Sequence, residues 1–297
     1  SCRRPRPKVS DMRERATRKP PTATKVLSTM VPFNIVPLSP SVAAGVYGLQ
    51  LRDPIDPETA AALRRALHQY GVLYFREQDQ TEADQVRTSR TFGLPVRHPT
   101  STLPPGPIPE ITIVSNLAAD GRPIGALAND EIDYHADLCF LHTPGSFSTL
   151  YALETPLTGG ETTWVGLEAA YQALDDDWKN RLEGLHVAYR HKRPEYNPNH
   201  PAIHLLISTH RETGRKTLYY SPNHAQYIVG MPEEESRALL DELTAHVIQS
   251  RFAWTLKWQT GDFVVWDNRC TMHRRASFPA SERRLMKRTQ GQGPPSF

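Results

Sequence analysis

The stretch Asp133-Tyr-His-Ala-Asp-Leu-Cys-Phe-Leu-His142, DYHADLCFLH, places His135, Asp137 and His142 in a run that otherwise has the composition of a buried strand. Tyr134, Leu138, Phe140 and Leu141 suit a pleated, half-buried surface. Side chains two apart on a strand share a face. The expectation is therefore a strand over 134–141 with His135, Asp137 and Cys139 on one face and Tyr134, Leu138 and Phe140 on the other. An imidazole and a carboxylate turned toward a sheet interior must pair or must hold something. A His–Asp hydrogen bond inside a core accounts for this pair by itself; a bound metal is the alternative.

Toward the C-terminus, strand-like runs follow at 147–153 and 161–165, with the turn Thr158-Gly-Gly160 between them. Two short helices are expected between Leu167 and Leu185, a strand at 217–220, and an amphipathic helix from Met231 to His246 with acidic residues at its start. The chain ends in strands at 252–258, 262–267 and 284–289. Toward the N-terminus, Asp56 caps a helix that Pro57 opens and Gly71 stops, with Ala60, Leu63, Leu67 and Tyr70 at helical spacing. Val72–Phe75 reads as a strand, and a second helix runs from Thr81 to near Gly93. Residues 94–130 and 192–216 are Pro-, Gly- and Asn-rich connections, and connections of that length are commonly functional. Many short strands with turn signals predict an α+β fold with a mainly β core, a sandwich or barrel of antiparallel sheets.

Composition bounds the function classes. A chain of 297 residues with 38% hydrophobic and 23% charged residues is long enough for a sizeable core. No apolar run of membrane-spanning length is present in the sequence. The net charge of +3 is unevenly placed: residues 1–29 hold nine Lys/Arg against Asp11 and Glu14, and the remainder carries 26 basic and 30 acidic residues. The basic stretch is expected to be a disordered tail at 1–29, with one folded domain over 30–297. An acidic body argues against nucleic-acid binding. Cys2, Cys139 and Cys270 form neither an even framework nor a CxxC pair, which fits a reducing, cytoplasmic setting.

Two histidines and a carboxylate on one face of a metal, with the other positions open, is the non-haem Fe(II) arrangement. His135-Ala-Asp137 offers two of these groups, and the third must come from elsewhere. The best candidate is His273, after the apolar run that ends in Trp266-Asp-Asn-Arg-Cys-Thr-Met-His273.

Four motifs in order, HAD (135–137), TGGETTW (158–164), WDNRCTMHR (266–274) and RRLMKRT (283–289), resemble the Fe(II)/2-oxoglutarate dioxygenases. Within them, the chain is similar to the family of taurine dioxygenase and the phenoxyacetate-herbicide dioxygenases, over roughly Phe33 to Phe297. The resemblance implies a double-stranded β-helix (jelly roll) with flanking helices and long active-site insertions. It implies His135, Asp137 and His273 as catalytic metal ligands, with Thr162 and Arg284 holding 2-oxoglutarate. It further implies Arg288 and His98 as substrate contacts. Ser101 and Glu131 stand at substrate-pocket positions where the taurine enzyme has a tyrosine and an asparagine. The implied reaction uses Fe(II), 2-oxoglutarate and O2, releases succinate and CO2, and hydroxylates a small anionic molecule.

Physical chemistry supports part of this independently. A dicarboxylate in a partly dry pocket needs compensating charge, and an arginine fork offers two parallel hydrogen bonds. Arg284 and Arg288, four apart, share one face of a strand, and Arg283 and Lys287 then face solvent. The segments 115–123 and 220–226 look closer to the phenoxyacetate branch, which puts a carboxylate, aryloxy or aromatic, ahead of a sulfonate. A metal-binding jelly roll without turnover is the other alternative, and a homo-oligomer is left open.

Overall fold

The structure is a computed structural model that describes residues 33–101 and 106–293. The basic stretch 1–29 lies outside the described residues.

Alternation along the strands builds the sandwich. In the strand Phe263–Asp267, Val264 and Trp266 turn to one side, where they meet Trp164, Leu256 and Trp258. Phe263 and Val265 turn to the other, toward Leu63, Ala66 and Leu67 of the helix Pro57–Tyr70. A period of two thus gives one strand two apolar faces, and both are covered.

The larger sheet runs in the order Asn34–Pro37, Ala44–Tyr47, Val72–Phe75, Phe263–Asp267, Gly145–Glu154, Leu285–Gln292 and Pro95–Val96, with Thr112–Ser115 also pairing with Leu285–Gln292. The smaller sheet runs Ala253–Leu256, Thr162–Gly166, Thr271–Arg275, Ile132–His135. Their facing sides share a core in which Trp164 meets Trp266 edge-on at 5.7 Å. On the outer side of the smaller sheet, Val165 and Met272 pack with Leu239, Leu243 and Val247 of the helix Glu233–Val247. Helix, sheet, sheet and helix form successive layers, the arrangement expected of a jelly roll with flanking helices.

The helix starts and stops follow from local chemistry. The Asp56 carboxylate accepts hydrogen bonds from the backbone N–H groups of Glu58 and Thr59, each at 2.9 Å. Gly71 ends the helix at φ 70°, a left-handed conformation that suits glycine. Thr81 and Asp84 form a capping box for the helix Glu82–Ser89, which ends four residues short of Gly93.

Two expectations are corrected. The strand predicted over 134–141 ends at His135, and residues 137–140 form a turn in which Leu138 has φ 58°. The sheet pairing stops because the backbone N–H groups of Ala136 and Asp137 donate instead to Ser221 Oγ and Asn268 Oδ1. Cys139 consequently joins the core with Leu138 and Phe140, away from the His135 side chain. The connection predicted at 192–216 contains the strands Ala202–Leu205 and Ile207–Thr209, where polar spacing hid short pairings.

Candidate functional site

His135 ends its strand and His273 lies in the middle of Thr271–Arg275, and the two are direct partners across the smaller sheet. Directly paired residues point to the same face, and their rings stand 4.2 Å apart. The chain that turns away after His135 brings Asp137 back to them. His135 Nε2 lies 3.7 Å from Asp137 Oδ1, and potential ligand atoms of all three residues lie within 4.8 Å of one another. A Cβ on Gly145 would come 2.7 Å from the Asp137 carbonyl, so glycine lets the neighbouring strand approach this turn.

Electrostatics set the protonation states. Burial, with His135 alongside, pushes the His273 pKa down to about 3. Burial also lowers His135, although Asp137 opposes the shift. Burial alone would raise Asp137, but His273, Arg288, His135 and the Ser148 hydrogen bond outweigh it and hold the carboxyl below its usual range. Two neutral imidazoles and one carboxylate are therefore present near neutral pH. His135 Nδ1 lies 2.8 Å from the Asp133 carbonyl, which fixes Nδ1 as the N–H donor and leaves Nε2 with its lone pair. His273 Nδ1 is buried without a partner. This donor set fits a divalent first-row metal with further coordination positions left open.

The hairpin that carries His273 is braced from behind. Asp267 receives Arg269 Nε at 2.9 Å and Nη2 at 2.6 Å, and His210 Nε2 at 3.0 Å, while its carbonyl accepts the Thr271 hydroxyl at 2.7 Å. His210, Asp267 and Cys270 are also close enough to be metal donors. Both Asp267 oxygens already accept from the Arg269 guanidinium, and Oδ2 also meets His210, so this group is a charged structural clamp.

Beside the His135–Asp137–His273 group lies a cavity of about 40 Å³, lined by Thr162, Arg275, Arg284 and Arg288 together with His135, His273 and Trp266. Thr162 Oγ1 accepts the Trp258 indole N–H at 2.9 Å, which leaves the Thr162 hydroxyl proton free to donate. Arg284 is 2% exposed, yet its Nε and Nη1 have no partner. Burial, with Arg275 nearby, lowers its pKa to about 9, so it stays charged near neutral pH. Arg288 is also buried, with Nη1 3.8 Å from Asp137 Oδ1. Between them a register shift follows Leu285, and Arg284 directly precedes the strand. Arg283 pairs with Glu154 at 2.6 Å at the surface, and Lys287 pairs with Glu82 at 3.2 Å rather than standing free in solvent.

The remaining sequence candidates separate. His98 is half-buried, and its pKa falls to about 3 through burial and the Arg288 charge. With Ser101 it lines a neighbouring hollow of about 160 Å³ that also includes Thr112 and Ile124. Glu131 lies outside both cavities and pairs with Arg274 at 3.0 Å, half-exposed. Sequence reasoning did not single out Arg275, Ser148 or Asn268. Asn268 and Arg275 lie in or beside the quoted WDNRCTMHR motif, whereas Ser148 carries no signal in the chain. His224, whose ring is 5.9 Å from that of His135, lies nearer the site than the exposed His142.

Comparison with known proteins identifies the family. The family described as "Taurine catabolism dioxygenase TauD, TfdA family" matches residues 34–290. The chain is 32% identical over 278 residues to the alpha-ketoglutarate-dependent 2,4-dichlorophenoxyacetate dioxygenase of Cupriavidus pinatubonensis, covering 85% of this chain and 95% of that protein. It resembles the crystal structure of a taurine dioxygenase from Burkholderia xenovorans at 30% identity and TM-score 0.77, covering 89% and 90% of the two chains. It also resembles AAD-2 in complex with Mn(II) and N-oxalylglycine at 31% identity and TM-score 0.76, covering 90% and 99%. With the facing sheets, the paired histidines and the family match in agreement, this chain belongs to the TauD/TfdA family of dioxygenases.

Proposed function

We propose that this chain is an Fe(II)- and 2-oxoglutarate-dependent dioxygenase that hydroxylates a small anionic organic molecule, with a carboxylate, aryloxy or aromatic, as the first choice. One observation carries the reading: the buried Arg284, two of whose nitrogens have no partner, lines the same small cavity as His135, His273 and Thr162. A metal-binding protein without turnover has no use for a buried, uncompensated guanidinium beside its metal group, because desolvating that charge is costly.

In this reading His135, Asp137 and His273 would hold Fe(II), and Thr162 and Arg284 would bind the distal carboxylate of 2-oxoglutarate. When bound, the iron, 2-oxoglutarate and O2 supply the oxidising chemistry that yields succinate, CO2 and a hydroxylated product. The protein's own share is positioning. Ser148 orients Asp137, Trp258 aims the Thr162 hydroxyl, and Val114, Leu150 and Trp266 narrow the cavity against water. Arg288 and His98 would read the anionic end of the primary substrate, with Ser101 further along the neighbouring hollow. Glu131 is held away from both cavities by its Arg274 pair and takes no part in this reading.

The carboxylate choice is supported by the 32% identity to an aryloxyacetate dioxygenase, and the likeness to a taurine dioxygenase structure keeps a sulfonate as the second reading. We place the catalytic domain at 30–297 and the basic stretch 1–29 outside it. A cytoplasmic setting is consistent with Cys139 and Cys270 being buried free thiols. No described helix is long and apolar enough to cross a membrane. The experiment is a screen of carboxylates, sulfonates, sulfates and amino acids with Fe(II), 2-oxoglutarate and O2, following succinate. Stimulation by aryloxy or aromatic carboxylates is expected. Stimulation by sulfonates alone would transfer the assignment to the second reading.

A further inference from the structure

Arg275 is the third guanidinium in the cavity, and its placement is specific. It is the direct cross-strand partner of Thr162 and lies two residues after His273, so its side chain leaves the sheet on the face that carries both. It is 5% exposed, and its Nε has no partner. The guanidinium stands over the Phe278 ring at 5.3 Å. Its outer nitrogens are committed to the segment that roofs the cavity: Nη1 donates to the Leu127 carbonyl at 2.9 Å and Nη2 to the Asp130 carbonyl.

This arrangement joins a strained roof to an excess of positive charge. Leu127, which lines the cavity, has φ 64°, a conformation unfavourable for a branched side chain, and the Arg275 tether helps to hold it there. Arg275 bears on Arg284 as a like charge in the lining of the same cavity, and the acidic group that acts on Arg275 is the exposed Asp130. A single ligand carboxylate lying between the two guanidiniums would relieve that repulsion. It could accept from the free Nε of Arg275 without disturbing the two bonds to the roof.

We infer that Arg275 is a positioning residue for the keto-diacid, supplying a second positive charge opposite Arg284 and coupling the distal carboxylate to the roof segment 127–130. The inference rests on the cavity being the 2-oxoglutarate site. It makes the co-substrate's second carboxylate, and not its keto-acid end, the group that closes the roof.

The test uses the full chain loaded with Mn(II) and measures binding of 2-oxoglutarate and of 2-oxovalerate, which has the same carbon chain without the distal carboxylate. Arg275→Met is expected to weaken 2-oxoglutarate binding by about tenfold or more while leaving 2-oxovalerate binding unchanged, because only the diacid meets the missing charge. Arg275→Lys, which restores the charge, is expected to recover most of the loss. In the unsubstituted protein, hydrogen exchange at residues 127–130 should slow with 2-oxoglutarate and not with 2-oxovalerate, a readout that needs no variant to fold. Equal losses for the two keto acids in Arg275→Met, or equal protection of the roof by both, overturns the inference and leaves the site reading intact. Failure of the Mn(II)-loaded unsubstituted protein to bind 2-oxoglutarate overturns the site reading itself.

Discussion

The Ser148 hydroxyl donates to Asp137 Oδ2 at 2.6 Å, while Asp137 Oδ1 faces His135 Nε2 at 3.7 Å. The two carboxylate oxygens are thereby distinguished: one is committed to the strand behind it and the other faces the histidines. Ser148 is in turn held by the amides of Asn268 at 3.0 Å and Gln290 at 3.2 Å. Asn268 Oδ1 also accepts from the Asp137 backbone and the Trp266 indole.

Ser148→Ala is therefore expected to weaken Mn(II) or Fe(II) binding by about 10- to 100-fold, the usual cost of losing a hydrogen bond that orients a ligand. Calorimetric titration of the metal-free protein with Mn(II) measures it. Unchanged affinity would mean that the Ser148 contact is incidental to ligation.

Anaerobic mixing with Fe(II) and 2-oxoglutarate is expected to give a visible charge-transfer absorption. His135→Ala should abolish it, because no other described imidazole is paired across the sheet with His273. A spectrum that survives this substitution would remove His135 from the ligand set.

The two buried arginines should separate kinetically. Arg284→Ala is expected to raise the 2-oxoglutarate requirement by about 100-fold, the scale of truncating one partner of a buried charge pair. Arg288→Ala should act mainly on the KM of the primary substrate. Equal effects on 2-oxoglutarate would show the assignments to be interchanged.

Acid should destabilise the metal-free fold through His204. Burial lowers its pKa from 6.5, although its Nε2 donates to the Cys139 and Leu141 carbonyls. Below 6.5 the unfolded chain takes up a proton that the folded chain resists, so stability is lost as pH falls toward the lower folded value. Thermal unfolding at pH 7 and pH 5 measures this loss; His204→Gln should lessen the dependence without abolishing it, because the buried His98 and His273 resist protonation in the same range.

At the helix Pro57–Tyr70, Asp56→Ala removes the acceptor for two backbone N–H groups. It is expected to cost about 1 kcal/mol of stability with little effect on turnover. Denaturant unfolding supplies the number. A loss of activity without loss of stability would tie this remote cap to the site.

Much of the architecture was legible in the chain because it depends on local chemistry. The Asp56 cap, the Gly71 stop, the Thr81 start and the two-residue alternation of Phe263–Asp267 are each set by neighbours in sequence. His135, Asp137 and His273 could be named because their residue types and motif order are distinctive. The turn at 137–140 could not be read, since apolar residues serve a strand and a buried turn equally well. Only the side chains of Ser221 and Asn268, 85 and 131 positions away, end the pairing there.

The sequence by itself thus determined the family, both ends of the first helix, the start of the second and the identity of the metal-binding candidates. The tertiary structure alone decided which groups meet them: Ser148 behind Asp137, Arg275 opposite Thr162, and Glu131 drawn off by Arg274. The reason is that strand register is an interaction between distant segments, and a shift of one residue turns each side chain to the opposite face. Residue type states what a group can do, whereas register decides what it faces.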